Sequence, residues 1–568
     1  MRSSISDIHS AAAYCHRSAG CNIASYLPRM SRGSPDRPAI IITRSGDRRG
    51  RADYATMSFA ELDTAVNRCA NGLRQAGIER NMRVLLMVRP GFAFIELVFA
   101  LFKMGAVPVM LDPGMGLGRM LECIRQVDPQ AMIGVSAAQT LRILKPDRFK
   151  SVERVVTVGR RWFWGGPTLE ELTRGACPTF DIADTRPDDV AAILFTSGAT
   201  GPAKGAVYEH AMFDAQVRAI QGHYGIEPGE IDLPTFPLFA LFGPAMGMTS
   251  VIPDMDPSKP ARVNPARIVE AVHDHKVTTT FGSPALWRRV GEYCAERAIK
   301  LPTLRRILIA GAPVPESVIE TLHGVLAPGA DVHTPYGATE ALPVCSIAGQ
   351  ELRAECSRLS RRGAGICVGR PMPGIDMRII RITDAPLTSW SDDLLVPDGE
   401  LGEIVVGGSV VTKGYFGLPR ADALAKMHDG ERILHRMGDV GYRDAQGRVW
   451  LCGRKGHRVS TKAGTLFTIR CEAIFNEHPD VARSALVGVG PAGDKQAVVV
   501  VEPVAGKYPN RLRSRQALRE QLLSLARVNE LTRGIQNVVF RRSLPVDIRH
   551  NAKINREELA LWAARQVS

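Results

Sequence analysis

Apolar and polar positions follow two different patterns along this chain. Up to residue 310, short β-branched runs alternate with segments whose apolar residues recur at helical spacing. The predicted strands occupy residues 84–88, 107–111, 131–135 and 307–310. The predicted helices between them occupy residues 91–104 and 119–127. Such alternation is typical of parallel sheets covered by helices, so the pattern predicts an α/β fold.

The pattern changes after about residue 363, where short strands broken by Gly and Asp follow one another closely. Strands at 376–382, 402–406 and 448–451 predict a more antiparallel, sheet-rich part. A final segment has its own strands at 484–489 and 497–502 and a helix at 515–526. We therefore predict a loose extension at 1–20, a large N-terminal domain of layered sheets and helices at 21–453, and a small α+β C-terminal domain at 454–568, which begins at the Gly453–Gly456 turn.

Composition places the chain among ordinary globular proteins, because 45% of its 568 residues are hydrophobic and 23% are charged. The formal net charge is +14, and the segment from Lys507 to Ser568 holds 13 basic and 5 acidic residues. This basic end can attract nucleic acid, an acidic membrane surface or a polyanionic small substrate, or it can be a solvated face. Its arginines are not interleaved with aromatic residues, which disfavours binding to single-stranded nucleic acid.

The cysteines and the apolar segments argue against export and membrane insertion. The chain has 11 cysteines without a C-x-x-C pair, which predicts reduced thiols and neither a disulfide framework nor a zinc site. The most apolar stretch, residues 95–111, contains Lys103 and Pro108, so a buried helix followed by a strand explains it better than a membrane span. With no secretory leader recognised, we predict a cytoplasmic protein.

The most informative segment is the run Thr196-Ser197-Gly198-Ala199-Thr200-Gly201-Pro202-Ala203-Lys204-Gly205, which follows an apolar strand. Backbone N–H groups and hydroxyls in such a loop can donate to anionic oxygens, while Lys204 supplies positive charge. The loop is not a Walker A motif, because Ala203 and Gly205 stand where that motif needs Gly and Ser or Thr. The run predicts a phosphate-binding loop, with an ordinary flexible turn as the alternative.

Two other motifs are interpreted as structural. Residues 488–493 match G-x-G-x-x-G, but a second strand follows instead of a helix, so a β-hairpin is predicted. His273-Asp274-His275 is interpreted as a helix end rather than a metal site, because no further ligand cluster accompanies it.

Three later segments add groups that suit a nucleotide. Tyr336-Gly337-Ala338-Thr339-Glu340 joins an aromatic face that can stack on a base with a hydroxyl and a carboxylate that can hold Mg²⁺ near a phosphate. Asp439 lies in a predicted Gly-flanked turn, where its carboxylate can accept two ribose hydroxyls. Arg454 follows, and Lys553 lies near the end of the chain.

In this order the motifs resemble those of the adenylate-forming superfamily, which includes acyl-CoA synthetases, luciferases and peptide-synthetase adenylation domains. The resemblance extends from about Cys21 to the end of the chain. It implies a phosphate loop at 196–204, and it assigns catalytic roles to Thr196, Lys204, Glu340 and Lys553. It further implies an adenine pocket formed by Gly311, Ala312, Pro313 and Tyr336, with Gly337 as a further nucleotide contact. Thr339 and Glu340 would contact the phosphates and Mg²⁺, and Asp439 and Arg454 would contact the ribose. Lys553 would be the lysine of a mobile C-terminal domain.

Four longer segments, at 233–242, 251–257, 281–286 and 545–553, are similar to the olefin-pathway β-lactone synthetases. Several residues depart from the general superfamily pattern, namely Ala199, Ala203, Ala240, Gly456 and Ala552. Gly456 and Ala552 make the domain rotation that ordinarily admits CoA less assured.

The resemblance implies an enzyme that uses ATP and Mg²⁺ to activate a long-chain 2-alkyl-3-hydroxyalkanoic acid as acyl-AMP. The acyl-AMP then closes to a β-lactone, with AMP and pyrophosphate as the other products. The candidate alkyl-chain wall contains Phe236, Phe239, Ala240 and Phe242, for which ordinary core packing is the alternative. A fatty acyl-CoA or acyl-carrier ligase remains the second candidate. The resemblance also implies the pathway's dehydrogenase and β-lactone decarboxylase as partners.

Overall fold

The computed structural model of the chain describes residues 21–44, 52–196, 203–546 and 554–567. These residues form two compact units, which are built from several segments each. The first unit takes its residues from 21–257, 267–281 and 409–422, and the second from 258–266, 282–408 and 423–567. The predicted extension at 1–20 lies outside the described residues, and the predicted boundary after Gly453 stays a prediction.

The α-helices of the described residues are, in chain order, α1 Tyr26–Gly33, α2 Phe59–Gln75, α3 Phe92–Met104, α4 Leu117–Val127, α5 Ser136–Leu144, α6 Leu169–Thr173, α7 His210–Tyr224, α8 Phe242–Ala245, α9 Pro265–His275, α10 Pro284–Glu296, α11 Glu316–Val325, α12 Gly349–Glu351, α13 Ser357–Arg361, α14 Pro419–Ala425, α15 Thr468–Asn476, α16 Leu512–Arg527 and α17 Arg556–Val567.

The strands are β1 Pro38–Arg44, β2 Asp53–Ser58, β3 Arg83–Met87, β4 Val107–Leu111, β5 Ala131–Val135, β6 Arg154–Val158, β7 Val190–Thr196, β8 Lys204–Glu209, β9 Ile231–Pro234, β10 Thr249–Ile252, β11 Thr279–Gly282, β12 Arg306–Ile309, β13 Asp331–His333, β14 Tyr336–Ala338, β15 Ala341–Ser346, β16 Ile366–Pro371, β17 Asp376–Ile380, β18 Gly402–Gly407, β19 Lys426–Asp429, β20 Arg432–Arg443, β21 Val449–Arg454, β22 Val459–Thr461, β23 Gly464–Leu466, β24 Val481–Val489, β25 Gln496–Pro503 and β26 Asn537–Phe540.

The first unit contains a six-stranded sheet in the order β6-β5-β3-β4-β7-β8. All neighbouring strands of this sheet are parallel except β7 and β8, which form an antiparallel pair. A second group of strands, β11, β9, β10 and β1, is parallel, and β2 lies antiparallel at its edge. The strand and helix alternation therefore predicted the parallel α/β layers correctly.

The second unit contains the antiparallel sheet that the sequence predicted after residue 363. Its strand order is β14-β15-β16-β21-β20-β18-β17, and β19 pairs with β20. All neighbouring strands of this sheet among the described residues are antiparallel. In the same unit β12 and β13 form a parallel pair.

The C-terminal segment has a small sheet and an apolar core of its own. Strands β24, β25 and β26 form the sheet, and two buried clusters draw all their residues from positions 459–567. Strands β24 and β25 are antiparallel neighbours, which confirms the hairpin predicted around residues 488–493. Helix α9 ends at His275, so the prediction of a helix end at His273–His275 is also confirmed.

The described part of the chain contains no helix that is both long enough and apolar enough to cross a membrane. Helix α3, the most apolar segment, is instead buried on nearly all sides and is followed by β4. Its Lys103 donates to Asp63 at 2.6 Å, which pairs the one buried charge of the helix. The ten described cysteines are free thiols.

Asp232 on β9 is a buried carboxyl group in the first unit. It is 6% exposed, and its Oδ1 has no hydrogen-bond partner among the described residues. The Oγ of Ser250, its neighbour on β10, is also buried without a described partner. Burial raises the pKa of Asp232 to about 8, and Glu230 nearby acts in the same direction. The folded protein therefore holds this proton near neutral pH, where an unfolded aspartate has lost it.

We expect Asp232→Asn to flatten the pH dependence of folding stability. In the wild type, the folded state binds one proton more than the unfolded state between about pH 4 and pH 8. The free energy of unfolding should therefore fall by about 1.4 kcal/mol per pH unit from this group as the pH rises through that window. Urea unfolding at several pH values checks this, with the exposed Asp254→Asn as the matched control. Parallel stability curves for wild type and Asp232→Asn would contradict it.

Candidate active site

The predicted phosphate loop joins the two antiparallel strands β7 and β8 of the first unit. Thr196 and Lys204 form the last cross-strand pair, so the loop starts and ends at adjacent positions. Gly205 is required here because a Cβ at this position would lie 2.6 Å from the Phe195 ring. The loop residues Ser197, Gly198, Thr200 and Gly201 lie outside the described residues, so their roles stay predictions.

The ammonium group of Lys204 lies 4.9 Å from the centre of the Tyr415 ring. Tyr415 is 6% exposed, and its backbone N–H donates to the carboxylate of Asp422 at 2.8 Å. The next residue, Phe416, is hydrogen-bonded to β8, because its backbone N–H donates to the Gly205 carbonyl at 2.8 Å. An aromatic face can hold a cation in this way through the attraction between the positive charge and the ring. Lys204 is thus positioned by Tyr415 at the end of the predicted phosphate loop.

In the second unit, Asp439 and Arg454 face each other across β20 and β21. They are cross-strand partners, and Arg454 Nη1 lies 3.1 Å from Asp439 Oδ1. The same nitrogen donates to the Met437 carbonyl at 2.9 Å. Gly438, which precedes Asp439, has a φ of +67°, a backbone conformation that favours glycine. The sequence predicted a turn around Asp439, and this was wrong: the residue lies within the long strand β20, where ladder pairing overrides the local glycine signal.

Tyr336 is the third member of this cluster. Its hydroxyl donates to Asp439 Oδ2 at 2.7 Å, so the two oxygens of the carboxylate contact different residues. Burial raises the pKa of Asp439, while Arg454 and the Tyr336 hydroxyl act in the opposite direction. Burial and the nearby carboxylate also raise the pKa of Tyr336 well above its usual value, so the phenol stays a donor. The cluster therefore holds a buried carboxylate in one orientation, with Tyr336 on one oxygen and Arg454 on the other.

Thr339 and Glu340 follow β14 and are both half-buried. Glu340 acts electrostatically on Asp439 and Arg454, raising the pKa of each, which places its carboxylate near the cluster. The predicted adenine-pocket residues Gly311, Ala312 and Pro313 follow β12, and Tyr336 follows β13, the parallel neighbour of β12. Both segments therefore leave the carboxyl edge of one strand pair, where ligands commonly bind in α/β folds.

The segment directly after Arg454 is held by a buried acid. The carboxylate of Glu403, which is fully buried, lies 2.7 Å from Arg436 and 2.9 Å from Lys455. Gly456 lies in the short turn Lys455–His457 with open space around it. No local sequence pattern marks Glu403 as a partner of this turn, because the two segments are distant along the chain.

The candidate alkyl-chain residues lie in the first unit, after β9. Phe236, Phe239 and Phe242 are half-buried, whereas Ala240 is 2% exposed. Ring centres of successive phenylalanines are 5.7 and 5.9 Å apart, and Phe239 stacks on Phe281. These rings form a continuous, partly accessible apolar surface. Their role in binding an alkyl chain stays a prediction.

The structure thus brings Tyr336, Asp439, Arg454 and Glu340 together in the second unit and Lys204 with Tyr415 in the first. Sequence analysis missed Tyr415, which no local motif marks. Lys553, the predicted bridging lysine, lies outside the described residues. No group of three or more acidic, His or Cys side chains among the described residues can hold a metal ion by itself. A single carboxylate such as Glu340 still fits Mg²⁺, which commonly takes one or two carboxylates with substrate phosphates and water.

Comparison with known proteins gives relatives that match almost the full chain. The chain is 46% identical to the olefin beta-lactone synthetase of Xanthomonas campestris pv. campestris, over 96% of this chain and 98% of that protein. It is equally similar to the olefin beta-lactone synthetase of Stenotrophomonas maltophilia, with 96% and 99% covered. A feruloyl-CoA synthase from Amycolatopsis is more distant, at 28% identity over 85% of this chain and 89% of that protein.

Solved structures show the same fold. ATP-bound MatB from Rhodopseudomonas palustris matches with a TM-score of 0.77 at 21% identity, covering 97% of this chain and all of that chain. The amide bond synthetase McbA from Marinactinospora thermotolerans gives 0.75 at 23% identity, covering 95% and 99%. The predicted α/β architecture of the adenylate-forming enzymes is thereby confirmed. A family model described as AMP-binding enzyme matches residues 27–416, more than half of the chain. The chain therefore belongs to the AMP-binding enzyme family, as the order of its sequence motifs led us to expect.

Proposed function

We propose that this chain is an ATP-dependent β-lactone synthetase whose substrate is a long-chain 2-alkyl-3-hydroxyalkanoic acid. The observation that carries the proposal is the 46% identity to olefin beta-lactone synthetases over nearly the full length of both chains. The CoA-forming relatives named for aromatic acids lie well below this identity. The cluster of Asp439, Arg454 and Tyr336 supports the nucleotide half of the proposal.

In the first half-reaction, the substrate carboxylate attacks the α-phosphorus of ATP, and pyrophosphate leaves. Asp439 accepts the ribose hydroxyls, and the ring of Tyr336 and the loop Gly311–Ala312–Pro313 flank the adenine. Thr196, Ser197, Thr200 and the backbone of Gly198 and Gly201 donate to the phosphates, with Lys204 offsetting their charge. Glu340, beside Thr339, would hold Mg²⁺ together with the phosphates, and the bound ion would supply further charge neutralisation. Lys553 approaches the reacting carboxylate and α-phosphate from the C-terminal domain.

In the second half-reaction, the substrate's own 3-hydroxyl attacks the acyl carbon of the acyl-AMP. The new C–O bond closes a four-membered ring, the bond between the acyl carbon and the phosphate oxygen breaks, and the hydroxyl proton passes to the departing phosphate of AMP. This step needs little apparatus, because a nucleophile held beside the acyl carbon can have an effective molarity of about 10⁵ M. In this proposal, the partly exposed ring surface of Phe236, Phe239 and Phe242, together with Ala240, contacts an alkyl chain of the substrate.

The proposal has further parts that rest on the resemblance alone. The enzyme works in the cytoplasm with the pathway's dehydrogenase and β-lactone decarboxylase. Residues 454–568 form a mobile domain that closes over the site. A fatty acyl-CoA or acyl-carrier ligase is the second candidate function, since it shares the first half-reaction and differs only in the acceptor.

We expect the enzyme with ATP and Mg²⁺, but without CoA, to turn over a 2-alkyl-3-hydroxy acid repeatedly. Mass spectrometry should find a product equal to the substrate minus water, and infrared spectroscopy should find the carbonyl band of a strained lactone. The matched acid without the 3-hydroxyl has no internal nucleophile, so its acyl-AMP should remain bound after one turnover.

Two outcomes contradict this expectation. Turnover that requires CoA and yields a thioester would favour the ligase alternative. Equal CoA-independent turnover of the 3-hydroxy acid and its deoxy analogue would show that the hydroxyl is not the nucleophile.

A further inference from the structure

Exposed aromatic and basic residues lie at the carboxyl ends of the parallel strands in the six-stranded sheet of the first unit. Strand β6 ends at Val158 and is followed by Arg160, Arg161, Trp162 and Phe163, all of them exposed. Trp162 is 54% exposed and Phe163 is 76% exposed. Large aromatic side chains are rarely left this open side by side on a surface that faces only water.

The segment that carries these two side chains is held firmly. Trp164, 6% exposed, donates from its indole nitrogen to the Thr157 hydroxyl at 2.9 Å. Its ring lies 5.4 Å from the ring of Trp162 and 5.3 Å from that of Phe163. Arg161 donates to the Gly166 carbonyl at 2.8 Å and lies 3.1 Å from Glu171. Trp162 and Phe163 therefore project from an anchored loop.

Two neighbouring segments on the same side of the sheet also carry exposed basic and apolar residues. Strands β3, β4 and β6 are parallel, so their carboxyl ends lie on the same side of the sheet. Arg89 follows β3, and Leu117 and Arg119 follow β4; each is exposed, with Leu117 at 52%. The three segments, residues 88–91, 116–119 and 159–163, contain four arginines and no carboxylate of their own, and residues 117–119 are the first turn of α4. We call these three segments the carboxyl-edge rim.

The rim lies on the same side of the sheet as the start of the phosphate loop. Strand β7, which ends at Thr196, is parallel to β4. Four strand spacings separate β6 from β7 in the sheet order β6-β5-β3-β4-β7, which corresponds to about 19 Å. A surface that contacts the rim therefore lies on the side of the sheet at which β7 ends and the predicted phosphate loop begins.

We propose that the carboxyl-edge rim docks on an anionic lipid surface. Tryptophan and phenylalanine favour the interface between water and hydrocarbon, and arginines beside them are attracted to acidic headgroups. A protein partner would equally cover apolar area, but the rim carries four arginines, of which, in the described part of the chain, only Arg161 is paired with an acid, Glu171, and this excess of positive charge matches the uniform negative charge of a lipid surface. The docking also suits an acid with two long alkyl chains, which partitions into lipid; this last argument rests on the proposed function.

The test compares two double variants that remove exposed apolar area without changing charge. Trp162→Ser with Phe163→Ser alters the rim. Ile143→Ser with Leu144→Ser removes exposed residues at the far end of α5, which begins at the carboxyl edge and runs back across the sheet. Each full-length protein is incubated, without substrate or nucleotide, with phosphatidylcholine vesicles that contain or lack phosphatidylglycerol, and bound protein is measured by sedimentation.

We expect the wild type and the α5 variant to bind the anionic vesicles alike, and the Trp162–Phe163 variant to bind about tenfold more weakly or worse. Arg119→Gln with Arg160→Gln should lower binding to anionic vesicles and leave the weak binding to neutral vesicles unchanged. Circular dichroism and thermal melting establish that each variant is folded.

Three results would overturn the proposal. They are no vesicle binding by the wild type, wild-type binding by the Trp162–Phe163 variant, or an equal loss of binding in the Trp162–Phe163 and Ile143–Leu144 variants. Loss of an oligomer or complex on gel filtration in the Trp162–Phe163 variant, without vesicle binding by the wild type, would assign the rim to a protein partner instead. Because the assay contains no substrate, it is independent of lactone formation, and either proposal can fail without the other.

Discussion

Asp439→Ala is expected to weaken ATP binding about a hundredfold or more. The carboxylate is predicted to accept two ribose hydroxyls, and each hydrogen bond to a charged group contributes about 1.5–3 kcal/mol. Loss of both corresponds to at least two orders of magnitude in affinity. Isothermal titration calorimetry with ATP in the absence of the acid substrate measures the change directly.

Two further variants distinguish the loss of ribose contacts from a general disruption of the Tyr336–Asp439–Arg454 cluster. Asp439→Ala also leaves Arg454 without its ion-pair partner, so Asp439→Asn, which keeps the shape and one acceptor oxygen, should lose less affinity. Tyr336→Phe keeps the ring and removes only the hydroxyl that donates to Asp439, so it should weaken ATP binding by about tenfold. Wild-type ATP affinity in a folded Asp439→Ala protein would refute the ribose assignment.

The same cluster predicts how ATP affinity depends on pH. Burial raises the pKa of Asp439, so its protonation on acidification begins at a higher pH than for a solvated aspartate. A protonated carboxyl is a poorer acceptor, and ATP affinity should therefore fall as the pH is lowered. The fall should begin at higher pH in Tyr336→Phe, because the hydroxyl that opposes the raised pKa is gone.

Lys553→Ala is expected to slow acyl-AMP formation by about 10²–10³-fold while ATP affinity changes little. The ammonium is predicted to contact the carboxylate and α-phosphate only in the reacting arrangement, and loss of one such charge-stabilising donor typically has this effect. Rapid-quench measurement of acyl-AMP in a single turnover, with enzyme in excess over ATP, isolates this step from product release.

Lys462→Ala is the matched control for Lys553→Ala, because it removes an exposed lysine of the same segment, whose one ion pair among the described residues is with Asp494. It should leave both the single-turnover rate and ATP affinity unchanged. A normal rate of acyl-AMP formation in Lys553→Ala would refute the role of Lys553. An equal slowing in both lysine variants would point to a general effect on the C-terminal segment.

Local sequence determined most of the secondary structure of this protein. The predicted segments at 107–111 and 131–135 are β4 and β5 without a shift, because apolar runs bounded by polar breaks specify strands within a few residues. The predicted phosphate loop rests on the same kind of signal, since its Gly, Ser and Thr residues and Lys204 are adjacent along the chain. Such signals are local, and no distant contact is needed to read them.

Tertiary structure decided which separated residues act together. Asp439 and Arg454 meet because β20 and β21 pair in one register, and Tyr336 reaches the same carboxylate from the far edge of the sheet. Lys204 rests on Tyr415, and Lys455 pairs with buried Glu403, across long stretches of sequence. The raised pKa of Asp232 likewise arises from burial between β10 and β11. Strand pairing and burial are set by the whole chain, so no local pattern around these residues could reveal their partners.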